Sequence, residues 1–285
     1  MGQVIASGQN LRPDINNAEY IIYNGAYPGH SGKPMQAIGR QAANRVANGD
    51  IKISVVDPIM IGGAVTPLDA TFGLGLIRWI IENERYNKEF LSSPNYDAAV
   101  SKGYNSWCNA AYLVIEDPDH PNYRKMLRAE DLGIEVGEDE KDIFIVIDEN
   151  TKEPVRFDET DTADILFNGT VKGANGEEIA VKTAFVKLKE SALEYSLEED
   201  SAACNVPLDK IIEMAKEYTS HGTKVSIDGM GNTAAANGSA AVMVHYTFMA
   251  LVGAYNMKGG VIPRRVSYKS VSTGPRYNIC AIPGA

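Results

Sequence analysis

Two short segments of this sequence carry residue types suited to holding a nucleotide. They are Asn24-Gly25-Ala26-Tyr27-Pro28-Gly29 and Asp57-Pro58, and each follows an apolar run. Glycine has no side chain to keep a ligand off the main chain, so backbone N–H groups around Gly25 and Gly29 can approach a diphosphate closely. The spacing is not that of the Gly-x-Gly-x-x-Gly fingerprint, so this loop alone does not choose between a phosphate cradle and an ordinary turn. Asp57 ends its apolar run with a carboxylate suited to two ribose hydroxyls, in competition with a plain Asp-Pro turn. Asp69 stands at the start of a helical pattern. A carboxylate there can accept the N1–H and N2–H of a guanine, or simply face the positive end of the helix dipole. In the loop Asp228-Gly229-Met230-Gly231-Asn232, Gly229 and Asn232 are candidates to face a second phosphate or a pterin, against the plainer role of joining a strand to a helix.

No nucleophile–base pair, His-Glu-x-x-His motif or paired catalytic carboxylate stands out by spacing. Cys108, Cys204 and Cys280 lie far apart, and His30, His120, His221 and His245 are equally scattered. Neither a zinc site nor an iron–sulfur cluster is expected from such spacing, and lone histidines read as structural. Trp79, Trp107 and the tyrosines read as packing residues. Chemistry is therefore expected from a bound cofactor or from residues beyond this sequence.

The elements that must position these residues follow from periodicity. Glu19 to Tyr23 predicts a buried strand, and Pro34 starts a helix with Met35, Ile38, Ala42 and Val46 on one face, stopped by Asn48-Gly49. Ile51 to Val56 predicts a second strand, apolar on both faces and hence inside a parallel sheet. Thr66 caps a further helix with Pro67 in its first turn and Leu68, Phe72, Leu76, Ile77 and Ile80 as its buried stripe. From Ser92 to Glu190 the pattern changes to a β-rich insertion. Phe144–Ile147 and Val155–Phe157 predict one hairpin. Thr170–Lys172 and Ile179–Val186 predict a second, around Asn175-Gly176 with positive φ angles. The run 135–142 is acidic and predicts a solvated loop. The α/β pattern then resumes. A helix is expected over 207–219 with Leu208, Ile211, Ile212, Ala215 and Tyr218 inward, then a strand over 224–227, then a buried helix over 238–255. The remainder, 261–285, reads as irregular.

The totals set limits on partners. With 27 Lys plus Arg against 37 Asp plus Glu, a net charge of -10 argues against a surface that tracks nucleic-acid phosphates. The 44% hydrophobic content suits a globular protein of 285 residues. No apolar run reaches the roughly 20 residues needed to cross a bilayer, so this chain is not expected to be membrane-embedded. Met1 to Ala6 do not read as a targeting signal.

In order along the chain, Tyr20-Ile21-Ile22-Tyr23-Asn24-Gly25-Ala26-Tyr27-Pro28, Val55-Val56-Asp57-Pro58 and Pro67-Leu68-Asp69-Ala70 with Gly75-Leu76-Ile77-Arg78-Trp79-Ile80-Ile81-Glu82-Asn83 are similar to the third domain of the dimethyl sulfoxide reductase superfamily, and the late segment ending in Asn256-Met257-Lys258-Gly259-Gly260 resembles that family's return toward its second domain. In that third domain a Gly-x-Asn-Pro-like loop, a Val-Asp-Pro strand end and a Pro-x-x-Asp helix start hold the guanosine diphosphate half of a molybdopterin guanine dinucleotide. Within that superfamily, the hairpin-bearing insertion and the stretches Asp117-Pro118-Asp119-His120-Pro121-Asn122 and Gly274-Pro275-Arg276-Tyr277-Asn278 resemble the tetrathionate reductase catalytic subunits. Tyr27, Ile59 and Leu68 depart from the family's usual Asn, Arg and Thr.

The resemblance implies an α/β fold, with a Rossmann-like, mostly parallel sheet flanked by helices and a β-hairpin-rich insertion. The corresponding divisions are 1–91, 92–190, 191–262 and an irregular tail over 263–285. It implies that Gly25, Ala26 and Tyr27, beside Asn24, meet the phosphates of a molybdenum bis-molybdopterin guanine dinucleotide. Asp57 and Pro58 would lie at the ribose, Asp69 at the guanine, and Gly229 and Asn232 at a second turn. It implies an internal piece of a longer catalytic subunit, unable to turn over alone, whose parent would carry a 4Fe-4S cluster. That parent would act on a small sulfur oxyanion in the periplasm. Its partners would be an iron–sulfur electron-transfer subunit together with a membrane quinol-oxidising subunit. Taken without the resemblance, the residues also admit a nicotinamide-dependent dehydrogenase or a non-catalytic interaction domain.

Overall fold

The computed structural model describes residues 11–25, 35–56, 69–137, 142–228 and 238–263. In chain order its strands are β1 (Leu11–Pro13), β2 (Tyr20–Asn24), β3 (Lys52–Val56), β4 (Leu113–Ile115), β5 (Ile145–Ile147), β6 (Pro154–Arg156), β7 (Asn168–Lys172), β8 (Glu178–Thr183), β9 (Val225–Asp228) and β10 (Val261–Pro263). The helices are α1 (Met35–Ala47), α2 (Asp69–Glu82), α3 (Lys88–Leu91), α4 (Tyr96–Ser101), α5 (Ala184–Ala192), α6 (Leu197–Cys204), α7 (Leu208–Tyr218) and α8 (Gly238–Leu251).

The centre of the α/β part is a three-stranded sheet in the order β3-β2-β9. Both pairings are parallel, with Tyr20 opposite Lys52 and Val225 at one end, and Asn24 opposite Val56 and Tyr23 opposite Asp228 at the other. Side chains alternate across a strand, so β2 feeds two cores. Ile21 and Tyr23 join Ala42 of α1, Ile15 and Ala18 on one face. Tyr20 and Ile22 join Phe72, Leu76, Ile77 and Ile80 of α2 and Ile211, Ala215 and Tyr218 of α7 on the other.

Several sequence expectations change in detail. The strand buried on both faces is β2, every residue of which is buried, whereas β3 keeps Lys52 exposed and Ile53, Ser54 and Val55 half-buried. Among the described residues β3 is an edge, with a neighbour on one side only. Val46, expected on the buried face of α1, is 48% exposed, and Ala42 alone of that stripe is buried among the described side chains. Thr66, Pro67 and Leu68 lie outside the described residues, and α2 begins at Asp69.

In the β-rich part, β5 and β6 form the first predicted hairpin, and β7 and β8 the second. β8 ends at Thr183 rather than running on to Val186, because the Thr183 hydroxyl accepts from the Val186 N–H and caps α5. In the second turn only Gly176 has positive φ, at 83°, and its N–H donates to the Gly173 carbonyl at 3.0 Å. β4, not expected from the sequence, adds to β8 to give the antiparallel order β4-β8-β7. This part has a core of its own, including Leu113, Ile145, Ile179 and Val181. Tyr112, Val146, Ala163 and Phe185 instead join the core beneath the parallel sheet.

α8 stops at Leu251, short of the expected 255. Gly253 takes φ +70° there, and a Cβ at that position would come within 3.1 Å of Phe90. The expected irregular stretch from Val261 begins with a strand, β10, which pairs antiparallel with β1. The rest of that stretch, and residues 138–141 of the acidic run, lie outside the described residues.

Candidate functional site

The three parallel strands end together at Asn24, Val56 and Asp228. The segments beginning at Gly25, Asp57 and Gly229 therefore leave from one sheet edge, the place where α/β proteins bind ligands. Asn24 is the last residue of β2 and 1% exposed. Gly25 follows with φ +65°, in the left-handed region that favours glycine, and its N–H donates to the Val56 carbonyl at 2.7 Å. The ends of β2 and β3 are thus side by side. Asp69 opens α2, and its side chain is outside the described residues. Ala26, Tyr27, Asp57, Pro58, Gly229 and Asn232 also lie outside them.

Sequence reasoning treated two residues at this edge as structural or left them without a role. His245, on α8, is 5% exposed and lies with Nε2 3.1 Å from Asn24 Nδ2. Burial pushes the imidazole pKa down to about 4, so the ring is neutral near pH 7. The signal for it was faint: one histidine inside the apolar run of α8. Arg12, on β1, lines a small cavity together with Asp228, His245 and Tyr246. Nothing in the local sequence around Arg12 marked it.

The opposite edge of the sheet is a network of mutually paired charges. His221 sits 3.1 Å from both Glu19 and Glu217, Lys224 pairs with Glu19 at 2.6 Å, and Lys52 pairs with Glu217 at 2.8 Å. These partners pull both glutamate pKa values down, hydrogen bonding from Lys224 dominating for Glu19 and from Lys52 for Glu217. Their charges are already answered there. Near the carboxyl edge, by contrast, the buried hydroxyl of Tyr23 has no hydrogen-bond partner among the described residues.

No family profile matches the chain. Over 96% of its length it is 30% identical to a tetrathionate reductase subunit from Salmonella typhimurium, of which it covers 28%. Over 88% of its length it is 31% identical to a selenate reductase subunit from Mesobacillus selenatarsenatis, covering 24% of that protein. The corresponding tetrathionate reductase subunit from Archaeoglobus fulgidus is 30% identical over 92% of the chain, which covers 23% of it. The chain is thus similar, over nearly its whole length, to part of molybdopterin oxidoreductases of the dimethyl sulfoxide reductase superfamily. It spans about a quarter of the length of these curated relatives. Acetylene hydratase from Pelobacter acetylenicus matches it with a TM-score of 0.53 over 92% of this chain and 25% of that one, at 15% identity, which is a likeness of fold.

The described part of the edge fits a nucleotide-bearing pterin cofactor on chemical grounds. A left-handed glycine at a strand end lets the main chain approach a phosphate. At Asn24 a buried amide and a neutral imidazole supply polar groups with no charge of their own to oppose a phosphate.

Proposed function

We propose that this chain is the nucleotide-holding part of a molybdenum oxidoreductase that reduces a sulfur or selenium oxyanion, with tetrathionate the first choice. The observation that carries this is the common edge at which β2, β3 and β9 end, in a chain similar to part of molybdopterin oxidoreductases. When bound, molybdenum bis-molybdopterin guanine dinucleotide supplies the change of oxidation state that the protein cannot. The chain's own work is to bind and orient. The main chain at Gly25, Ala26 and Tyr27, beside Asn24, receives phosphate oxygens. Asp57 and Pro58 serve the ribose, Asp57 accepting from its hydroxyls, and Asp69 accepts from the guanine edge. Gly229 and Asn232 take the role of facing a second phosphate or the pterin.

For the whole protein the proposal extends to a 4Fe-4S cluster, a periplasmic site of action, and two partner proteins, one an iron–sulfur subunit, the other a quinol-oxidising membrane subunit. Among the described residues no helix is long and apolar enough to cross a membrane. Selenate is the second reading, favoured by 31% identity to a selenate reductase subunit. Similarity to the superfamily leaves the nicotinamide-dehydrogenase reading without support.

The test is the full-length protein purified with its cofactor, assayed with tetrathionate and with selenate against a reduced viologen dye. Guanosine monophosphate released by acid and bound molybdenum are measured in parallel. Tetrathionate turnover is expected, with both contents falling together in Asp57→Ala and Asp69→Ala. Undiminished contents in both variants would remove the assigned roles, and turnover of selenate alone would replace the substrate.

A further inference from the structure

β2 and α8 meet at one buried polar contact. Asn24 Nδ2 and His245 Nε2 are 3.1 Å apart, between residues 221 positions apart in sequence. A neutral imidazole has one nitrogen that accepts a hydrogen bond, and an asparagine amide has a nitrogen that only donates. With Nε2 accepting, the amide is oriented: Nδ2 faces α8 and Oδ1 is turned away from it. Placing an imidazole among Val242, Phe248 and Met249, all buried, costs free energy unless the ring is hydrogen-bonded. An apolar residue would pack there without that cost, so the histidine calls for a reason.

Asn24 supplies one through its position. It pairs with Val56 at the end of the parallel ladder, and the next residue, Gly25, turns the chain into the left-handed region while donating its N–H to Val56. The turn is held from one side by the β3 main chain and from the other, through the Asn24 amide, by α8. That helix follows the segment leaving β9. One hydrogen bond therefore ties the end of β2 to α8.

We propose that His245 is a positioning residue for a nucleoside diphosphate: by fixing the Asn24 amide it sets the main-chain turn at Gly25 that receives the phosphates. This rests on the nucleotide-holding role proposed above.

The test is calorimetric titration of the full 285-residue chain with GDP, in wild type, His245→Leu and His245→Gln. Heteronuclear NMR of the His245 ring and the Asn24 side-chain amide accompanies it. Wild type is expected to bind GDP, with both sets of resonances shifting at saturation. His245→Leu should weaken binding about tenfold, the effect of losing one buried hydrogen bond, while His245→Gln, whose amide oxygen can accept in place of Nε2, stays within about threefold. Equal affinity in wild type and His245→Leu, or equal losses in Leu and Gln, overturns the positioning role and leaves the nucleotide reading standing. Wild-type resonances that do not move on GDP saturation overturn it as well, and this measurement decides if His245→Leu does not fold. Absence of GDP binding by wild type sinks the nucleotide reading and this inference with it.

Discussion

Burial pushes two titratable side chains in opposite directions, and each leaves its own mark on stability. The His245 pKa falls from 6.5 to about 4 because the charged ring is poorly solvated in its site. The fold therefore favours the neutral form. The stability this contributes is present above the unfolded value near 6.5 and is lost as pH falls through about 4, up to about 3 kcal/mol in total. Asp200, on α6, is pushed up to about 6, chiefly by burial, with the Arg78 charge pulling partly back. Its contribution has the other sign: full below the unfolded value near 3.8 and lost as pH rises through about 6. Urea unfolding across pH 4 to 8 should show Asp200→Asn more stable than wild type near pH 7 by about 1 kcal/mol, after discounting for solvent contact. His245→Gln should flatten the loss below pH 6.5. Curves for either variant parallel to wild type would show that the buried charge is not the cause. In sequence, Asp200 sits in an acidic helix start and His245 among apolar neighbours. Neither setting announces a shifted pKa, because the shift comes from what other elements place around the group.

At the scale of elements, α2 is the hub, packed against α5, α6, α7 and α8. Its crossing with α8 is close enough that a Cβ on Gly73 would overlap the Val244 side chain. Ala is the better helix former by about 1 kcal/mol, but overpacking costs about 1–3 kcal/mol, so Gly73→Ala is expected to destabilise by about 1 kcal/mol. Gly73→Ala with Val244→Ala should recover part of that loss. A stabilised single variant in thermal melts would show that the helices can separate at this crossing. α6 opens with a capping box, Ser196 accepting from the Glu199 N–H and the Glu199 carboxylate accepting from the Ser196 N–H. Ser196→Ala should cost about 1 kcal/mol by the same measurement. The stripe of α2 was legible as periodicity, with Phe72, Leu76, Ile77 and Ile80 all buried. Short strands were not. β4 and β10 have three residues each, too few for an alternation to show, and they exist because β8 and β1 offer them a ladder.

For the molecule as a whole, one core runs from beneath the parallel sheet into the β-rich part, joining Ile22 and Phe72 to Tyr112, Ala163 and Phe185. Shared burial of this kind couples the two parts, so they should unfold together. Trp79 and Trp107 report on the two parts separately, and single-tryptophan variants made with Trp79→Phe and Trp107→Phe should give the same urea midpoint. Distinct midpoints would mean that the shared core does not couple them. The sequence by itself determined the α/β class, the β2-α1-β3 order, the buried face of α2 and the two hairpins, since each follows from a period or a turn residue within a short window. It also pointed to Asn24 and Gly25 as the end of a strand. Only the tertiary structure decided that β9, far along the chain, pairs beside β2 so that Asn24, Val56 and Asp228 share one edge, and that a histidine from α8 holds Asn24. Register between distant strands and the polarity of a buried site are set by the sum of many weak contacts across the fold, and no local window contains them.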